Sequence, residues 1–204
     1  NGELLIVDYP NSTNTALTST NVGVKDLFPG MVNKTIRLAL KEKGRYLDVE
    51  NTLGMQYSDN REDFRSDVEF ANAREVTVTG MAGGVLYRSA SPFDNAHNRA
   101  PYVSAYLQAN GVKTALDLTD NADIIGKYAN IPAYSQQMID AGNVVLCKID
   151  ANYRSETYNR TLASGLIEMM NHPAPYVVHC TEGKDRTGYV CAVLERICGA
   201  SREE

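Results

Sequence analysis

The stretch PYVVHCTEGKDRTGY, residues 175–189, joins two apolar runs through a loop rich in glycine and charged residues. The first run ends at His179 and Cys180, and its length is typical of a short buried strand. In the second run apolar residues recur at helical spacing, so a helix is predicted to begin near Arg186 and to pack one face inward. These residues are Val190, Val193, Leu194 and Ile197. A strand, a loop and a helix N-terminus in this order form an arrangement that binds anions.

Residues 180–186, called the phosphate loop below, contain the groups that phosphate chemistry needs. A cysteine is nucleophilic as the thiolate, which backbone N–H groups, a helix N-terminus and nearby cations stabilise, and all three are available to Cys180. Successive N–H groups of such a loop can form a nest for phosphate oxygens. Arg186 can present its planar guanidinium to two of these oxygens. Gly183 permits a positive φ, and the Thr187 hydroxyl is within reach of the sulfur.

Each of these residues also has an ordinary structural interpretation. A single cysteine is more often a buried thiol than a nucleophile, and this is the prediction for Cys191 and Cys198. Arg74 and Arg88 are likewise expected to form structural ion pairs. The combination in the loop is more specific than its parts, because six residues of suitable chemistry fall together between a strand and a helix. They are His179, Cys180, Gly183, Arg186, Thr187 and Gly188. We therefore predict that the loop is functional.

Strands and helices are predicted to alternate beyond residue 70, which indicates an α/β fold with a central, mostly parallel sheet flanked by helices. Predicted strands cover residues 75–80, 84–89, 113–118, 143–149 and 176–180. Predicted helices cover residues 98–111, 122–128, 132–142 and 155–171, followed by the helix that begins near Arg186. In the long helix Ser155 is the expected N-cap. Its predicted apolar face comprises Tyr158, Leu162, Leu166, Met169 and Met170.

A charged segment at residues 57–70 separates the N-terminal part of the chain from the rest. We predict a small β-rich N-terminal extension at residues 1–65 and a catalytic domain at residues 66–204. The predicted features of the extension are strands at residues 3–9 and 35–40 and a turn-rich segment at residues 10–21. At the other end, Ser201 is suited to cap a further helix, which suggests that C-terminal helices of the domain are truncated.

Composition narrows the range of partners. The 204-residue chain has a net charge of -5 and an isoelectric point of about 5.3, whereas nucleic-acid-binding domains usually carry a basic face, so nucleic acid is not an expected partner. No apolar run reaches the roughly 18 residues of a spanning helix, so a soluble, non-transmembrane protein is expected, either cytoplasmic or exported after removal of a leader.

The four cysteines lack zinc-ligand or disulfide spacing, and we expect neither a metal nor another cofactor.

The segment HCTEGKDRTG, residues 179–188, resembles the H-C-x5-R-[ST]-G signature of the protein tyrosine phosphatase superfamily. It is most similar to a bacterial group of dual-specificity enzymes, whose members often act on both phosphotyrosine and phosphoinositides. YRSASP at residues 87–92 and ALDL at residues 115–118 also fit this group, so the likeness spans roughly residues 70–200. The resemblance implies a tyrosine-phosphatase-like fold and hydrolysis through a phosphocysteine intermediate without a metal.

The resemblance also implies roles for individual residues. Cys180 would attack phosphorus, Arg186 would bind the phosphate and the transition state, and Thr187 would assist hydrolysis of the intermediate. His179 would tune the cysteine through hydrogen bonding. The phosphate itself would be bound by the residues that follow the nucleophile, which are Thr181, Glu182, Gly183, Lys184, Asp185 and Arg186.

A leaving alkoxide needs a proton, which a general acid would supply. Three aspartates are candidates for this role. Asp150 follows a predicted strand, in the place where the superfamily usually has its acid, and it is our first choice. Asp185 lies within the phosphate loop, and Asp117 ends a strand that is predicted to reach the same edge of the sheet. Each of the three could also be a surface or capping aspartate.

The leading functional hypothesis is a cysteine-dependent phosphomonoesterase that acts on phosphotyrosine in proteins. A phosphoinositide or inositol phosphate substrate is the alternative within the same class. From another class, the chain could be a phosphate-binding pseudophosphatase module, although the intact Cys180 and Arg186 argue against this. A rhodanese-like sulfurtransferase also uses a cysteine loop, but His179 and Thr187 fit that chemistry poorly.

Overall fold

The computed structural model describes residues 4–8, 15–19, 28–31, 34–35, 37, 58–150 and 152–201. The chain divides into two compact units, Asn1–Met55 and Gln56–Glu204, each of which is described by itself. The division into an extension at residues 1–65 and a catalytic domain at residues 66–204 stays a prediction. Among the helices of the described residues, none has the length and apolar character needed to cross a bilayer.

The first unit contains two strands, β1 (Leu4–Asp8) and β2 (Thr15–Ser19), which pair in antiparallel fashion. β2 corrects the sequence prediction, in which residues 10–21 formed only a turn-rich connection. Its sequence, TALTS, contains β-branched threonines, which favour extended backbone. A 3-10 turn follows at Pro29–Met31. The strand predicted at residues 35–40 lies outside the described residues except at positions 35 and 37, which are not in a strand.

The second unit is built on a five-stranded sheet. Its strands are β3 (Arg74–Glu75), β4 (Leu86–Ser89), β5 (Thr114–Asp117), β6 (Val144–Leu146) and β7 (Tyr176–His179). Its α-helices are α1 (Asp67–Phe70), α2 (Ala100–Ala109), α3 (Ala122–Ile125), α4 (Ala133–Asp140), α5 (Glu156–Met170) and α6 (Asp185–Ile197). A 3-10 turn at Arg61–Asp63 precedes α1. The predicted α/β class is confirmed.

The sheet is mostly parallel, with the strand order β3-β4-β7-β5-β6. Only β3 runs antiparallel to its neighbour, β4. In the register of the parallel strands, His179 of β7 lies opposite both Ser89 of β4 and Asp117 of β5, and Asp117 lies opposite Leu146 of β6. The loops after these four strands therefore converge at one edge of the sheet, which is where open α/β sheets bind their ligands.

Helices cover both faces of this sheet. On one face α5 packs against β5 and β6, and α6 packs against β7 and β4. On the other face α2 and α4 contact each other over a second apolar cluster. β7 contributes to both clusters, because Val178 faces the first and Val177 the second, and both are fully buried. A strand buried on both faces has a continuous apolar sequence, which explains the run before His179.

The long helix α5 begins as predicted. The Ser155 hydroxyl accepts a hydrogen bond from the Tyr158 backbone N–H at 2.9 Å, which satisfies one N–H of the first turn. Two of the predicted inward-facing residues are corrections, since Met170 is 72% exposed and Ile197 is 71% exposed. Each is the last residue of its helix, where the apolar face no longer meets the sheet, whereas the preceding Met169 is buried.

Several predicted elements are shorter in the structure. The strand predicted at residues 75–80 contributes only Glu75 to β3, because the chain turns toward Gly80, where φ is +85°. The helix predicted at residues 122–128 is the single turn α3. The strand predicted at residues 143–149 is reduced to β6, although the Cys147 backbone N–H still bonds to the Asp117 carbonyl at 2.8 Å. The helix that Ser201 was predicted to cap lies outside the described residues.

Candidate active site

The phosphate loop follows β7, the central strand of the sheet, and leads into α6. β7 ends at His179, and α6 begins at Asp185, so the loop bridges the end of a buried strand and the N-terminus of a 13-residue helix. The structure therefore has the strand, loop and helix that the sequence predicted. Because β4 and β5 lie on either side of β7, the loop sits at the middle of the carboxyl edge of the sheet.

The carbonyl oxygens of the phosphate loop accept hydrogen bonds from surrounding elements. The Ser91 backbone N–H donates to the Thr181 carbonyl at 3.1 Å. The Asn72 side-chain amide donates to the carbonyls of Glu182, at 2.9 Å, and Gly183, at 3.2 Å. Since these donors lie outside the loop, three successive carbonyl oxygens face away from its centre.

Arg88 of β4 is a further donor to the loop. Its Nη2 atom lies 2.9 Å from the Gly183 carbonyl oxygen and 3.4 Å from that of Lys184. Structural ion pairs of Arg74 and Arg88 stay a prediction. Among the described residues, the hydrogen bonds of Arg88 go to the main chain of the loop, and Arg74 Nη1 donates to the Asn72 amide oxygen at 3.1 Å. Arg88 therefore acts on the loop as a brace, through its hydrogen bonds to two main-chain carbonyls.

Gly183 has the positive φ that the sequence predicted, at +72°. A Cβ atom at this position would lie 2.3 Å from the Ser89 carbonyl oxygen and 2.8 Å from the Ala90 nitrogen. Both contacts are with main-chain atoms, which cannot move aside as a flexible side chain could. The loop therefore packs so closely against the end of β4 that only glycine fits.

Cys180 and Arg186 lie at the two ends of the loop. The Cys180 side chain is buried, with only 4% of the residue exposed. The Arg186 guanidinium is half-buried, and its Nη1 atom donates to the Leu118 carbonyl at 3.2 Å and to the Ile149 carbonyl at 3.4 Å. These two carbonyls follow β5 and β6, so the ends of two neighbouring strands position the arginine. Thr187 is also fully buried, and its hydroxyl has no hydrogen-bond partner among the described residues.

The three aspartates predicted as acids occupy different environments. Asp150 is exposed, and one of its carboxylate oxygens accepts from the Asn152 backbone N–H at 2.8 Å. Asp185 is exposed in the first turn of α6. Asp117 is fully buried and its Oδ1 atom accepts from two backbone N–H groups, so it is the least suited of the three to reach a leaving group. The choice between Asp150 and Asp185 therefore stays open at this point.

Two charged residues of the loop bind each other. The Lys184 ammonium lies 2.9 Å from the Glu182 carboxylate, and both side chains are partly exposed. A surface pair of this kind contributes little to stability, typically under about 1 kcal/mol. Its local consequence is electrostatic, because the Glu182 carboxylate offsets the Lys184 charge within the phosphate loop.

Three buried titratable side chains, Asp117, Asp120 and His179, lie at the ends of the strands beside the phosphate loop. Asp120, which the sequence analysis did not single out, accepts a hydrogen bond from the Tyr128 hydroxyl at 2.9 Å. Burial raises the pKa of Asp117, and burial together with the Asp117 charge raises the pKa of Asp120 to about 6. Burial lowers the pKa of His179 to about 4, so its imidazole is neutral at neutral pH. His179 Nε2 is 3.8 Å from Asp117 Oδ2, which is too far for a hydrogen bond.

Tyrosine rings border the other side of the loop. Tyr153 and Tyr189 stack with their ring centres 4.5 Å apart and their planes at 27°. Burial raises the pKa of Tyr153, and the charges of Asp185, Arg186 and Cys180 also act on its hydroxyl, which indicates that the ring lies near the loop. Tyr189 is 37% exposed, so part of this aromatic pair faces solvent.

All four cysteines are free thiols. Burial raises the pKa of both Cys147 and Cys191 to about 11, which keeps them protonated at neutral pH. Within the described part of the chain, no group of three or more histidine, cysteine, aspartate or glutamate side chains is placed to hold a metal ion.

Sequence reasoning missed Asn72 and Asp120, and for Arg88 it missed the role as a brace. Asn72 reaches the loop from more than a hundred residues earlier in the chain, so no local pattern links them. Its φ of +49° is a conformation that asparagine tolerates better than most residues. Asp120 carries one usable signal, because a second aspartate so close to the end of a buried strand is placed near the same sheet edge.

Comparison with known proteins agrees with this geometry. No curated protein matches the chain significantly. The model of the tyrosine phosphatase family matches residues 63–204, which include the sheet, the phosphate loop and all six α-helices. The match confirms the resemblance drawn from the residues around Cys180. The chain therefore belongs to the tyrosine phosphatase family, and the activity that this membership indicates is that of a phosphatase.

Proposed function

We propose that the protein hydrolyses phosphotyrosine in proteins or peptides through a phosphocysteine intermediate on Cys180. The observation that carries the proposal is the phosphate loop itself, whose carbonyls at residues 181–183 bond outward to Ser91, Asn72 and Arg88. With its carbonyls drawn outward, the loop can direct backbone N–H groups toward a bound phosphate. Cys180 and Arg186 then flank the same anion.

In the first step the Cys180 thiolate attacks phosphorus as the bond from phosphorus to the tyrosine oxygen breaks. A sulfur–phosphorus bond forms, and the tyrosine leaves as its phenol after it takes a proton from a general acid. Negative charge is spread over the three phosphate oxygens that do not react. Arg186 supports this step, because two backbone carbonyls hold its guanidinium at the carboxyl edge of the sheet.

In the second step water attacks the phosphocysteine, the sulfur–phosphorus bond breaks, and inorganic phosphate and the Cys180 thiolate are released. The group that gave its proton to the tyrosine takes one from the water. Thr187 is the proposed assistant of this step, since its buried hydroxyl has no other partner among the described residues. His179, neutral and buried beside Asp117, precedes the nucleophile and helps to fix its position.

We assign the general acid to Asp150, with Asp185 as the alternative that experiment must exclude. Support for Asp150 comes from Arg186, whose Nη1 atom contacts the carbonyl of Ile149, the residue immediately before Asp150. That contact lies one residue before the exposed Asp150, which supports a place for its carboxylate near the phosphate site. Asp185 also lies near this site, but as a loop residue it is suited to ordering the loop.

Phosphotyrosine suits the surroundings of the loop better than an inositol phosphate. The stacked Tyr153 and Tyr189 offer an aromatic surface to a substrate whose phosphate is carried on a ring. A highly phosphorylated inositol would need several unopposed cations. The Lys184 charge is instead offset by Glu182, and the chain as a whole has a net charge of -5.

A substrate panel tests the proposal. Wild type, Cys180→Ser and the control Cys198→Ser would be assayed on a phosphotyrosine peptide, a phosphoserine peptide and a phosphoinositide, each with and without EDTA. We expect the phosphotyrosine peptide to give the highest kcat/KM, with activity that persists in EDTA, is lost in Cys180→Ser and is kept in Cys198→Ser. Preference for the phosphoinositide would transfer the assignment to lipid, and phosphate binding without turnover of any substrate would contradict an enzyme.

A further inference from the structure

Two buried carboxyl groups lie at the turn that follows β5. Asp117 is 0% exposed and Asp120 is 1% exposed. The Oδ1 atom of Asp117 accepts from the backbone N–H groups of Thr119, at 2.8 Å, and of Asp120, at 3.0 Å. The Oδ1 atom of Asp120 accepts from the Tyr128 hydroxyl. One oxygen of each carboxyl group is therefore satisfied.

The second oxygen of each group raises a question of protonation. Asp117 Oδ2 and Asp120 Oδ2 are both buried without a hydrogen-bond donor among the described residues. The two side chains are nevertheless close, because the Asp120 backbone N–H bonds to Asp117 Oδ1 in the same turn and each carboxyl group shifts the pKa of the other. Two ionised carboxylates are acceptors only, and like charges so close cannot both ionise without a large penalty. A single proton held between them satisfies both oxygens, as in the paired carboxyl groups of aspartic proteases.

We propose that Asp117 and Asp120 share one proton, and that this protonated pair is a positioning unit that holds Arg186 in place for catalysis. The role in catalysis rests on the proposed function, whereas the shared proton does not. Because both aspartates are buried, we infer that they act through another residue.

Leu118 connects the pair to the arginine. It lies in the turn between the two aspartates, and its carbonyl accepts from Arg186 Nη1 at 3.2 Å. Its backbone N–H donates to the His179 carbonyl at 3.0 Å, which ties the same turn to the residue before the nucleophile. A hydrogen bond that closes the turn therefore fixes the direction of the Leu118 carbonyl and, through it, the Arg186 guanidinium.

The groups around the pair come from every neighbouring element. They are Tyr128 and its neighbour Asp94, His179 of β7, Arg186 of α6 and Cys147 after β6. The Arg186 charge favours ionised Asp117, but burial outweighs it and raises the pKa of that carboxyl. The Tyr128 hydrogen bond opposes the rise at Asp120 without cancelling it. Burial therefore outweighs the Arg186 charge and the Tyr128 hydrogen bond, and the pair with one proton is favoured over the pair with two charges.

The direction of the pH effect follows from these shifts. Because burial raises the pKa of Asp120 to about 6 in the folded protein, its contribution to stability is complete below the pKa of an unfolded aspartate and is lost as pH rises through about 6. Above that pH the pair carries two buried negative charges and loses its hydrogen bond. Leu118 is then held by its backbone hydrogen bonds to His179 and Ile149 without the support of the pair, and one of the two anchors of Arg186 weakens.

Infrared spectroscopy of the Cys180→Ser protein tests the shared proton without any need for activity. We expect a band of a buried, protonated carboxyl group at about pH 5 that disappears through about pH 6, since ordinary aspartates and glutamates ionise near pH 4. The band should be absent from Cys180→Ser/Asp120→Asn. A protein without the band, or with a band that survives Asp120→Asn, would overturn the pair.

Activity tests the link to Arg186 through a rescue pattern. Asp120→Asn keeps a donor toward Asp117 and an acceptor for Tyr128 but does not titrate, so its kcat/KM on p-nitrophenyl phosphate should stay within about threefold of wild type at about pH 5 and extend to higher pH. Asp120→Ala should lose about 100-fold through a displaced arginine. If kcat/KM falls at the same pH on the alkaline side in Asp120→Asn as in wild type, the positioning role is overturned. Wild type and Asp120→Asn are compared on the same substrate, so the ionisation of the substrate's own phosphate affects both pH profiles equally.

The two experiments separate the two proposals. If the infrared band is present but wild type hydrolyses none of the phosphate esters, the shared proton stands and the proposed function fails. If wild type is active and the band is absent, the proposed function stands and the pair is wrong.

Discussion

Two segments at the carboxyl edge of the sheet use aspartates in opposite ways. In the phosphate loop Asp185 is exposed and belongs to a run of polar residues, Thr181 to Arg186, in which only Gly183 lacks a side chain. In the turn after β5, Asp117 and Asp120 are buried, and their hydrogen-bond donors are backbone N–H groups and a tyrosine hydroxyl. In our proposals the first segment provides the groups that meet the phosphate, and the second provides the rigidity that keeps Arg186 among them.

We expect substitutions in the phosphate loop to reduce activity more than substitutions in the residues that support it from outside, such as Asn72 and Arg88.

The largest effect is expected at Arg186. Arg186→Lys keeps the charge but cannot bind two phosphate oxygens with one planar group, so kcat should fall about 1,000-fold while KM changes only a few-fold. Steady-state kinetics on a phosphotyrosine peptide would measure both values. A kcat within about threefold of wild type would contradict the assigned role.

The general acid gives the next largest effect, and it depends on the leaving group. Asp150→Asn should reduce kcat about 300-fold on a phosphotyrosine peptide, but much less on p-nitrophenyl phosphate, because p-nitrophenolate leaves without a proton. Asp185→Asn is the matched control and should reduce activity on both substrates by a similar factor. If the leaving-group dependence appears in Asp185→Asn instead, the phosphate loop carries the acid and the assignment of Asp150 is wrong.

Gly183 tests how closely the loop must pack against β4. Gly183→Ala places a methyl group against the Ser89 carbonyl and forces φ into a strained region, so the loop should shift and kcat/KM should fall about 100-fold. Gly111→Ala is the matched control, since Gly111 has a φ of +62° but open space around its Cβ position. Both variants strain the backbone, but only Gly183→Ala adds the clash. The difference between their thermal unfolding temperatures therefore measures the effect of the clash on stability. Equal losses of activity would show that the clash is unimportant.

The smallest effect is expected at Asn72, which braces the loop without touching the phosphate. Asn72→Gly removes the donor to the Glu182 and Gly183 carbonyls while it tolerates the positive φ, so kcat/KM should fall about tenfold, as expected for one or two lost hydrogen bonds. Asn130→Gly, at an exposed position with a similar φ of +59°, is the control. A loss in Asn72→Gly as large as in Arg186→Lys would erase the distinction between the loop and its supports.

The sequence predicted the phosphate loop well because its chemistry is contiguous. The ten residues 179–188 contain the proposed nucleophile, the arginine and the glycine that the loop requires. The apolar residues on either side define the strand before them and the helix after them. The α/β class followed from the same alternation, and the convergence of Asp117 with the loop followed from the parallel order of the strands.

The supports of the site could not be predicted, because they depend on contacts between distant segments. Asn72 and Arg88 reach the loop only after β3 and β4 take their places in the sheet, and nothing in their local sequence marks the carbonyls that they bind. Helix ends were a second limit. Helical spacing placed Met170 and Ile197 on apolar faces, but spacing alone does not show where a helix runs past the sheet.

The most direct test of the central claim is to follow Cys180 during a single turnover. Wild type would be mixed with a phosphotyrosine peptide, denatured at successive times and digested, and the peptide that contains Cys180 would be examined by mass spectrometry. We predict that this peptide gains a phosphate as tyrosine is released and loses it as inorganic phosphate appears. Release of inorganic phosphate without phosphorylation of Cys180 at any time, or phosphorylation of another residue in its place, would contradict the phosphocysteine mechanism.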